Sequence, residues 1–127
     1  MPLNTILVED SKTILDTLVP ALAELADARV VAIATTAVGA EEALEQWGSQ
    51  WQLMVLDLFL SEGSGMEVLQ ALKQRAAPKF EHQHVYMLTN YATADMRRTC
   101  EQLGADGMFD KSTELDAFFE RCCALSR

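Results

Sequence analysis

The stretch "LMVLDLFL", residues 53–60, decides the fold, because it is an apolar run broken only by Asp57. Burying an unpaired polar group costs roughly 2–7 kcal/mol, so an aspartate inside such a run needs a partner or a surface. Near-continuous apolar runs are typical of parallel strands that are buried on both faces. We therefore expect residues 53–56 to fill the core and Asp57 to emerge at the end of the strand.

Short apolar runs and longer amphipathic stretches alternate along the whole chain. The predicted strands are Asn4–Val8, Arg29–Ala34, Gln52–Asp57, His84–Thr89 and Asp106–Asp110. Five helices are predicted, and the first carries an apolar stripe of Ile14, Leu15, Leu18, Leu22 and Leu25. The second spans about 38–47, the third runs from a Ser64 cap to before Pro78, and the fourth runs from about Thr93 to Leu103–Gly104. The fifth runs from Ser112 to about Leu125, with Leu115, Phe118, Phe119 and Cys122 facing inward. This alternation predicts an α/β fold, a doubly wound five-stranded parallel sheet flanked by five helices.

The composition excludes several classes of function. The chain has 127 residues, one domain's length, and a net charge of -9, which disfavours contact with nucleic acid and with anionic membrane surfaces. It lacks the roughly 20 consecutive apolar residues that a membrane span needs, and its first residues do not resemble a signal peptide. Cys100, Cys122 and Cys123 are odd in number and lack zinc-site spacing, which predicts buried thiols in a reducing compartment and hence a cytoplasmic protein.

Polar side chains follow four of the predicted strands, and they mark a candidate site. Glu9 and Asp10 follow the first strand, Asp57 ends the third, Thr89 ends the fourth and Lys111 follows the fifth. Functional crevices of doubly wound sheets lie at the carboxyl ends of the strands. Three neighbouring carboxylates repel one another, and Mg²⁺ relieves that repulsion with oxygen ligands and phosphate. The pattern predicts a metal-assisted site where a carboxylate meets a phosphoryl group.

Four motifs at the strand ends carry a resemblance to a known family. They are "LVEDS", "VLDLFLSEGSG", "LTNYA" and "GADGMFDKS", and they stand in order across residues 3–125. With them the chain resembles the receiver domain of two-component response regulators. The resemblance implies a flavodoxin-like sheet with strand order 2-1-3-4-5. It also implies one receiver domain over residues 1–127 that stands alone, since no residues remain for an output domain.

The same resemblance implies a role for each site residue. Asp57 would accept a phosphoryl group from the phosphohistidine of a sensor histidine kinase or a histidine phosphotransfer protein. The chain would then lose the phosphate slowly by its own autophosphatase activity, and its affinity for an unknown downstream protein would change meanwhile. The implied Mg²⁺ ligands are Asp10 directly, Glu9 largely through water, Asp57, and the backbone carbonyl of Phe59. The implied ligands of the phosphoryl oxygens are Thr89 and Lys111.

Several positions depart from the family's pattern, including Ser61 and Glu62, which stand where the family often has a proline. Ser112 follows Lys111 where a proline, often in a cis bond, is usual, so we expect a trans bond there because a cis non-proline bond costs roughly 2.5–4 kcal/mol. Asn90 stands in place of a smaller residue and is expected to narrow the approach to the site. Met108 replaces an aromatic switch residue and predicts a softer switch, because methionine fills space in several rotamers.

Other functions remain open at the level of the sequence. The main alternative is a Mg²⁺-dependent phosphohydrolase with an aspartyl nucleophile, but Phe59 stands where haloacid-dehalogenase-like enzymes need a second acid. A flavodoxin-like cofactor binder is disfavoured because "VEDSKT" places two carboxylates where a phosphate loop would lie. A receiver that never carries phosphate is disfavoured because the site residues are all present. His82 and His84 are expected in a solvated loop far from the site.

Overall fold

The computed structural model describes residues 2–75 and 79–126, and in that part of the chain strands and helices alternate strictly. The strands are β1 (Leu3–Val8), β2 (Ala28–Ala34), β3 (Leu53–Leu56), β4 (His84–Thr89) and β5 (Gly107–Asp110). The helices are α1 (Lys12–Ala26), α2 (Ala37–Trp47), α3 (Gly65–Lys73), α4 (Ala94–Gln102) and α5 (Leu115–Leu125).

All five strands form one parallel sheet in the order β2-β1-β3-β4-β5, which confirms the predicted doubly wound fold. One core layer contains residues of α2, α3 and α4, and the other contains residues of α1 and α5. The sheet therefore has helices on both faces, and residues 53–56 of its central strand are almost completely buried. Among the described helices, none has the combination of length and apolar character that crossing a bilayer requires.

Side-chain caps fix where α1, α2, α3 and α4 begin, and the cap at Ser64 is predicted from the sequence. The hydroxyls of Thr36, Ser64 and Thr93 each accept an amide hydrogen bond from the first turn of their helix, at 3.0, 3.3 and 3.2 Å. The end of α3 at Lys73 precedes Pro78, which itself lies outside the described residues.

The predicted start of α5 at Ser112 is wrong, because the helix begins at Leu115. The Asp110 carboxylate accepts hydrogen bonds from both the amide and the hydroxyl of Ser112, and this local turn competes with helix formation. The peptide bond after Lys111 is trans, as expected.

Two residues that the apolar stripes placed inward are exposed. Leu25 is 54% exposed and Leu115 is 37% exposed, so neither belongs to the core. Helix α1 packs instead through Leu18, Leu22 and Ala26. Leu25 stands at the edge of that stripe, and Leu115 occupies the first turn of its helix, where the apolar face has not yet reached the core.

The cysteine thiols provide a test of the packing. Cys100 and Cys122 are completely buried, which confirms their assignment as small apolar core residues, and burial raises the pKa of Cys122 to about 12. Only thiolates react readily with alkylating agents, and burial disfavours the thiolate form of both Cys100 and Cys122. We expect brief treatment with iodoacetamide at pH 8 to leave Cys100 and Cys122 unmodified in peptide mapping by mass spectrometry, whereas urea-unfolded protein gains three adducts. Rapid modification of Cys122 in the folded chain would contradict the packing.

Candidate functional site

Three carboxylates meet at the carboxyl edge of the sheet. Oxygen atoms of Glu9, Asp10 and Asp57 lie within 4.8 Å of one another. Glu9 is only 2% exposed and Asp57 only 8%, while Asp10 is exposed. The parallel ladders extend just past the strands, since the Glu9 amide bonds Ala34 and the Asp57 amide bonds Val8. These backbone bonds place both acids at the same level of the sheet.

Lys111 joins two of these carboxylates. Its ammonium donates to Asp57 Oδ2 at 2.9 Å and also to Glu9 Oε1, and its side chain is 10% exposed. Burial acts against the charged form, but the hydrogen bonds to Glu9 and Asp57 outweigh it and raise the pKa of Lys111. The ammonium therefore offsets part of the acidic charge of the cluster.

Two further hydrogen bonds fix the carboxylates themselves. Asp57 Oδ1 accepts from the Leu58 amide at 2.7 Å, which leaves Oδ2 toward Lys111. Glu9 Oε2 accepts from the Ser11 amide at 3.0 Å, and Ser11 caps α1. Glu9 and Asp57 are thus each held by one backbone amide and by the Lys111 ammonium that they share, while Asp10 is exposed to solvent.

Thr89 is completely buried at the end of β4 and is tied to its neighbours on both sides. Its hydroxyl accepts from the Tyr91 amide at 3.2 Å, and its carbonyl accepts from the Lys111 amide at 3.0 Å. Thr89 therefore fixes the main chain of Lys111, and the Thr89 hydroxyl is the group that the sequence analysis assigns to the site.

Phe59 and Tyr91 form an aromatic pair beside the site. Each stands two residues after a strand-end residue, Phe59 after Asp57 and Tyr91 after Thr89. Their ring centroids are 4.6 Å apart in an edge-on arrangement, and both residues are about half exposed. The backbone of Phe59 forms an antiparallel bridge with Ser64, so the loop that carries its carbonyl is braced.

The structure thus brings Glu9, Asp10, Asp57 and Lys111 into one cluster, with Thr89 behind Lys111 and Phe59 beside Asp57. Sequence reasoning did not foresee the bond between Lys111 and Glu9. It also missed Gly65, whose added Cβ would lie 2.2 Å from the Asp57 carbonyl oxygen. A glycine directly after the Ser64 cap could have indicated this close approach, because helix capping itself does not require glycine at that position. His82 contacts Ser49, and His84 begins β4 at the opposite edge of the sheet.

The donor set fits a hard divalent cation. All three acids offer oxygen atoms, which such cations prefer, and one of the three faces solvent, where water ligands can complete a coordination sphere. The single ammonium leaves the cluster with net negative charge. We conclude that the edge of the sheet is an acidic site of the metal-binding type.

Comparison with known proteins gives a consistent picture. The family model of the response regulator receiver domain matches residues 5–122. The Mn²⁺-bound form of response regulator Rcp1 is 27% identical, with a TM-score of 0.71 over 98% of this chain and 92% of that chain. None of the curated protein sequences compared with the chain matches it.

Two more distant structures share the fold. The CheX–CheY–BeF₃–Mg²⁺ complex from Borrelia burgdorferi is 15% identical, with a TM-score of 0.84 over 100% of this chain and 91% of that chain. The BeF₃-activated receiver domain of RstA from Klebsiella pneumoniae is 21% identical, with a TM-score of 0.78 over 98% of each chain.

Proposed function

The chain belongs to the response regulator receiver domain family, which works in phosphoacceptor signalling, and we propose that Asp57 is its phosphoacceptor. The observation that carries this proposal is the position of Asp57, which lies at the edge of the sheet between two other acids and one ammonium. Its Oδ1 is bonded to the Leu58 amide, so the carboxylate has a fixed orientation toward an incoming group.

The proposed reaction forms one bond and breaks another. An Asp57 oxygen attacks the phosphorus of a phosphohistidine, the phosphorus–nitrogen bond breaks, and the imidazole leaves with the electron pair and takes a proton. The product is an acyl phosphate. Lys111 and the Thr89 hydroxyl would bond the phosphoryl oxygens, and most of catalysis in phosphoryl transfer is positioning and charge stabilisation of this kind.

Mg²⁺ is the proposed cofactor, held by Asp10, Asp57 and the Phe59 carbonyl, with Glu9 behind a water. When bound, it would neutralise the negative charge that the acids and the phosphoryl group bring together. The chain's own contribution is to hold Asp57 and Lys111 in place and to keep Glu9 oriented through Ser11.

Intact-mass measurement after treatment with acetyl phosphate tests this function. We expect a single phosphate adduct that requires Mg²⁺, disappears with a chelator and is cleaved by hydroxylamine, as an acyl phosphate should be. An adduct that forms equally in the chelator, or that resists hydroxylamine, would show that the site works differently.

Asp10 and Glu9 are expected to contribute unequally to Mg²⁺ binding. Asp10 is exposed and free to bond the ion directly, whereas Glu9 is buried and already bonded to Ser11 and Lys111. We expect Glu9→Gln to weaken Mg²⁺ binding by about tenfold, the lower end of the usual loss for a group that supports a metal site, and Asp10→Asn to weaken it by more. Isothermal titration calorimetry measures both, and equal or reversed affinities would contradict the assignment.

The autophosphatase activity is proposed to be slow because of the aromatic pair. Hydrolysis needs a water in line with the acyl phosphate, and neither Phe59 nor Tyr91 orients water as a carboxylate or amide would. We expect Phe59→Asn combined with Tyr91→Ala to release phosphate several-fold faster, which is well below the roughly 10²–10⁴-fold that a fully positioned general acid or base contributes. Mass spectrometry measures the rate at which the phosphate adduct is lost, and Phe80→Ala is the control for loss of an exposed ring elsewhere. An unchanged rate in the double variant would refute the role of the aromatic pair.

The proposed signal is a change in affinity for a partner protein. Donors would be a sensor histidine kinase or a histidine phosphotransfer protein in the cytoplasm, and the downstream protein would distinguish the two states through movement at Thr89 and Met108. Met108 is 8% exposed and pairs with Met87 in the sheet, so a shift there reaches the surface of α4 and β5. That residues 1–127 act as a stand-alone receiver stays a prediction.

A further inference from the structure

Arg97, on α4, reaches three acceptors in three different parts of the chain. Its guanidinium donates to the Ala92 carbonyl at 3.2 Å, to the Met108 carbonyl at 2.8 Å and to the Glu114 carboxylate. Arginine presents several donors in a rigid plane, so one side chain can fix the relative positions of these groups. The three bonds join the start of α4, the strand β5 and the residue that precedes α5.

Glu114 closes the turn that contains Lys111. Its Oε1 accepts from the Asp110 amide at 3.0 Å, and its own amide donates to the Asp110 carbonyl at 2.9 Å. The hydrogen bond from Arg97 lowers the pKa of Glu114, which is therefore ionised at neutral pH. Segment 110–114 is thus closed by the hydrogen bonds between Glu114 and the Asp110 main chain, and Arg97 of α4 holds the Glu114 carboxylate in place.

This arrangement explains how the segment around Lys111 keeps its conformation without a proline after Lys111. Ser112 stands at that position and leaves the backbone rotatable, whereas the Lys111 ammonium must reach Asp57 at 2.9 Å. Reactivity falls steeply when a group in a site is displaced by about 1 Å. Hydrogen bonds must then restrict the turn: those of Arg97 and Glu114 act together with the bonds from Ser112 to Asp110 and from the Lys111 amide to Thr89.

We propose that Arg97 and Glu114 are positioning residues for phosphoryl transfer, which hold segment 110–114 so that Lys111 is directed toward Asp57. The proposal rests on the proposed function of Asp57. Neither residue touches the carboxylate cluster in the structure, so their effect would pass through the main chain of Asp110 and Lys111.

The test compares Arg97→Met with Arg98→Met. Arg98 is the next residue of the same helix and its side chain is 68% exposed. Within residues 2–75 and 79–126 its one ion pair is with Asp95 of α4, so it is a matched control. In the Arg97 variant we expect the Asp110 amide to exchange its hydrogen at least about tenfold faster by NMR, because Glu114 loses the partner that holds it. We also expect the rate of phosphorylation by acetyl phosphate to fall by about tenfold.

Two further measurements separate positioning from general damage. Mg²⁺ affinity should not fall in Arg97→Met, because the proposed Mg²⁺ ligands Asp10, Asp57 and Phe59 lie outside segment 110–114. Arg97→Lys should recover part of the rate. If Arg97→Met fails to fold, Glu114→Gln, which keeps the oxygen but loses the charge, takes its place with the same expected directions. Equal exchange at Asp110 in both arginine variants, or faster exchange with an unchanged phosphorylation rate, would overturn the proposal.

Failure of the proposed function would be recognised separately. In that case the parent chain itself would take no phosphate from acetyl phosphate in Mg²⁺. Failure of the inference alone would leave the parent fully active and the Arg97 variant indistinguishable from the Arg98 variant.

Discussion

We expect Asp57→Asn to abolish the phosphate adduct, lowering the rate of phosphorylation by roughly a thousandfold or more, as loss of the nucleophile does in enzymes. The amide that replaces the carboxylate is a far weaker nucleophile but has almost the same shape. Its oxygen can keep the hydrogen bond from the Leu58 amide, so the loop after β3 should be preserved. The loss would therefore report on chemistry rather than on folding.

The control for this experiment is Asp116→Asn, which makes the same chemical change on the exposed first turn of α5. Both variants and the parent would be treated with acetyl phosphate and Mg²⁺ and compared by intact mass. A full adduct on Asp57→Asn would show that another residue accepts the phosphoryl group. Loss of the adduct in Asp116→Asn as well would refute the conclusion that the loss is specific to Asp57.

Gly65→Ala is expected to damage both stability and the site. An added Cβ would lie 2.2 Å from the Asp57 carbonyl oxygen and 3.2 Å from Leu58 Cα, and these are backbone atoms that cannot rotate away. Helix propensity alone would favour alanine by about 1 kcal/mol, whereas overpacking of this kind costs about 1–3 kcal/mol. With contact this close the steric cost should prevail, and we expect a net loss of about 2 kcal/mol.

Chemical denaturation followed by tryptophan fluorescence measures that loss, and the adduct assay measures the effect on Asp57. Gly39→Ala in α2 is the matched control, because its Cβ would meet the Thr36 hydroxyl at 3.1 Å, the end of a side chain. We expect a change within about 1 kcal/mol there. A Gly65→Ala chain as stable and as reactive as the parent would mean that the loop after β3 relaxes without cost.

The fold and the edge of the sheet that carries the site were predictable because both depend on local patterns. Apolar runs such as residues 53–56 indicate buried parallel strands, and the chemistry of such sheets lies where the strands end. The position of Asp57, next to Glu9 and Asp10, followed from that rule alone. The caps at Ser64 and Thr93 were also visible, since they depend on residues three apart.

What the sequence could not reveal depends on contacts between distant segments. The bond from Lys111 to Glu9, the approach of Gly65 to Asp57 and the reach of Arg97 to Glu114 all join separate elements. The exposed positions of Leu25 and Leu115 have a similar origin, because a helical stripe shows which residues share a face but not how wide the contact becomes.

The bond between Lys111 and Glu9 joins residues 102 positions apart, so the site has a consequence for how the protein is made. Glu9 leaves the ribosome well before β5 and Lys111. Contacts of such large sequence separation form late, since the intervening chain must first lose its freedom. A nascent chain that lacks β5 would therefore carry its acids without their ammonium, and the site would be complete only after β5 and Lys111 have been synthesised.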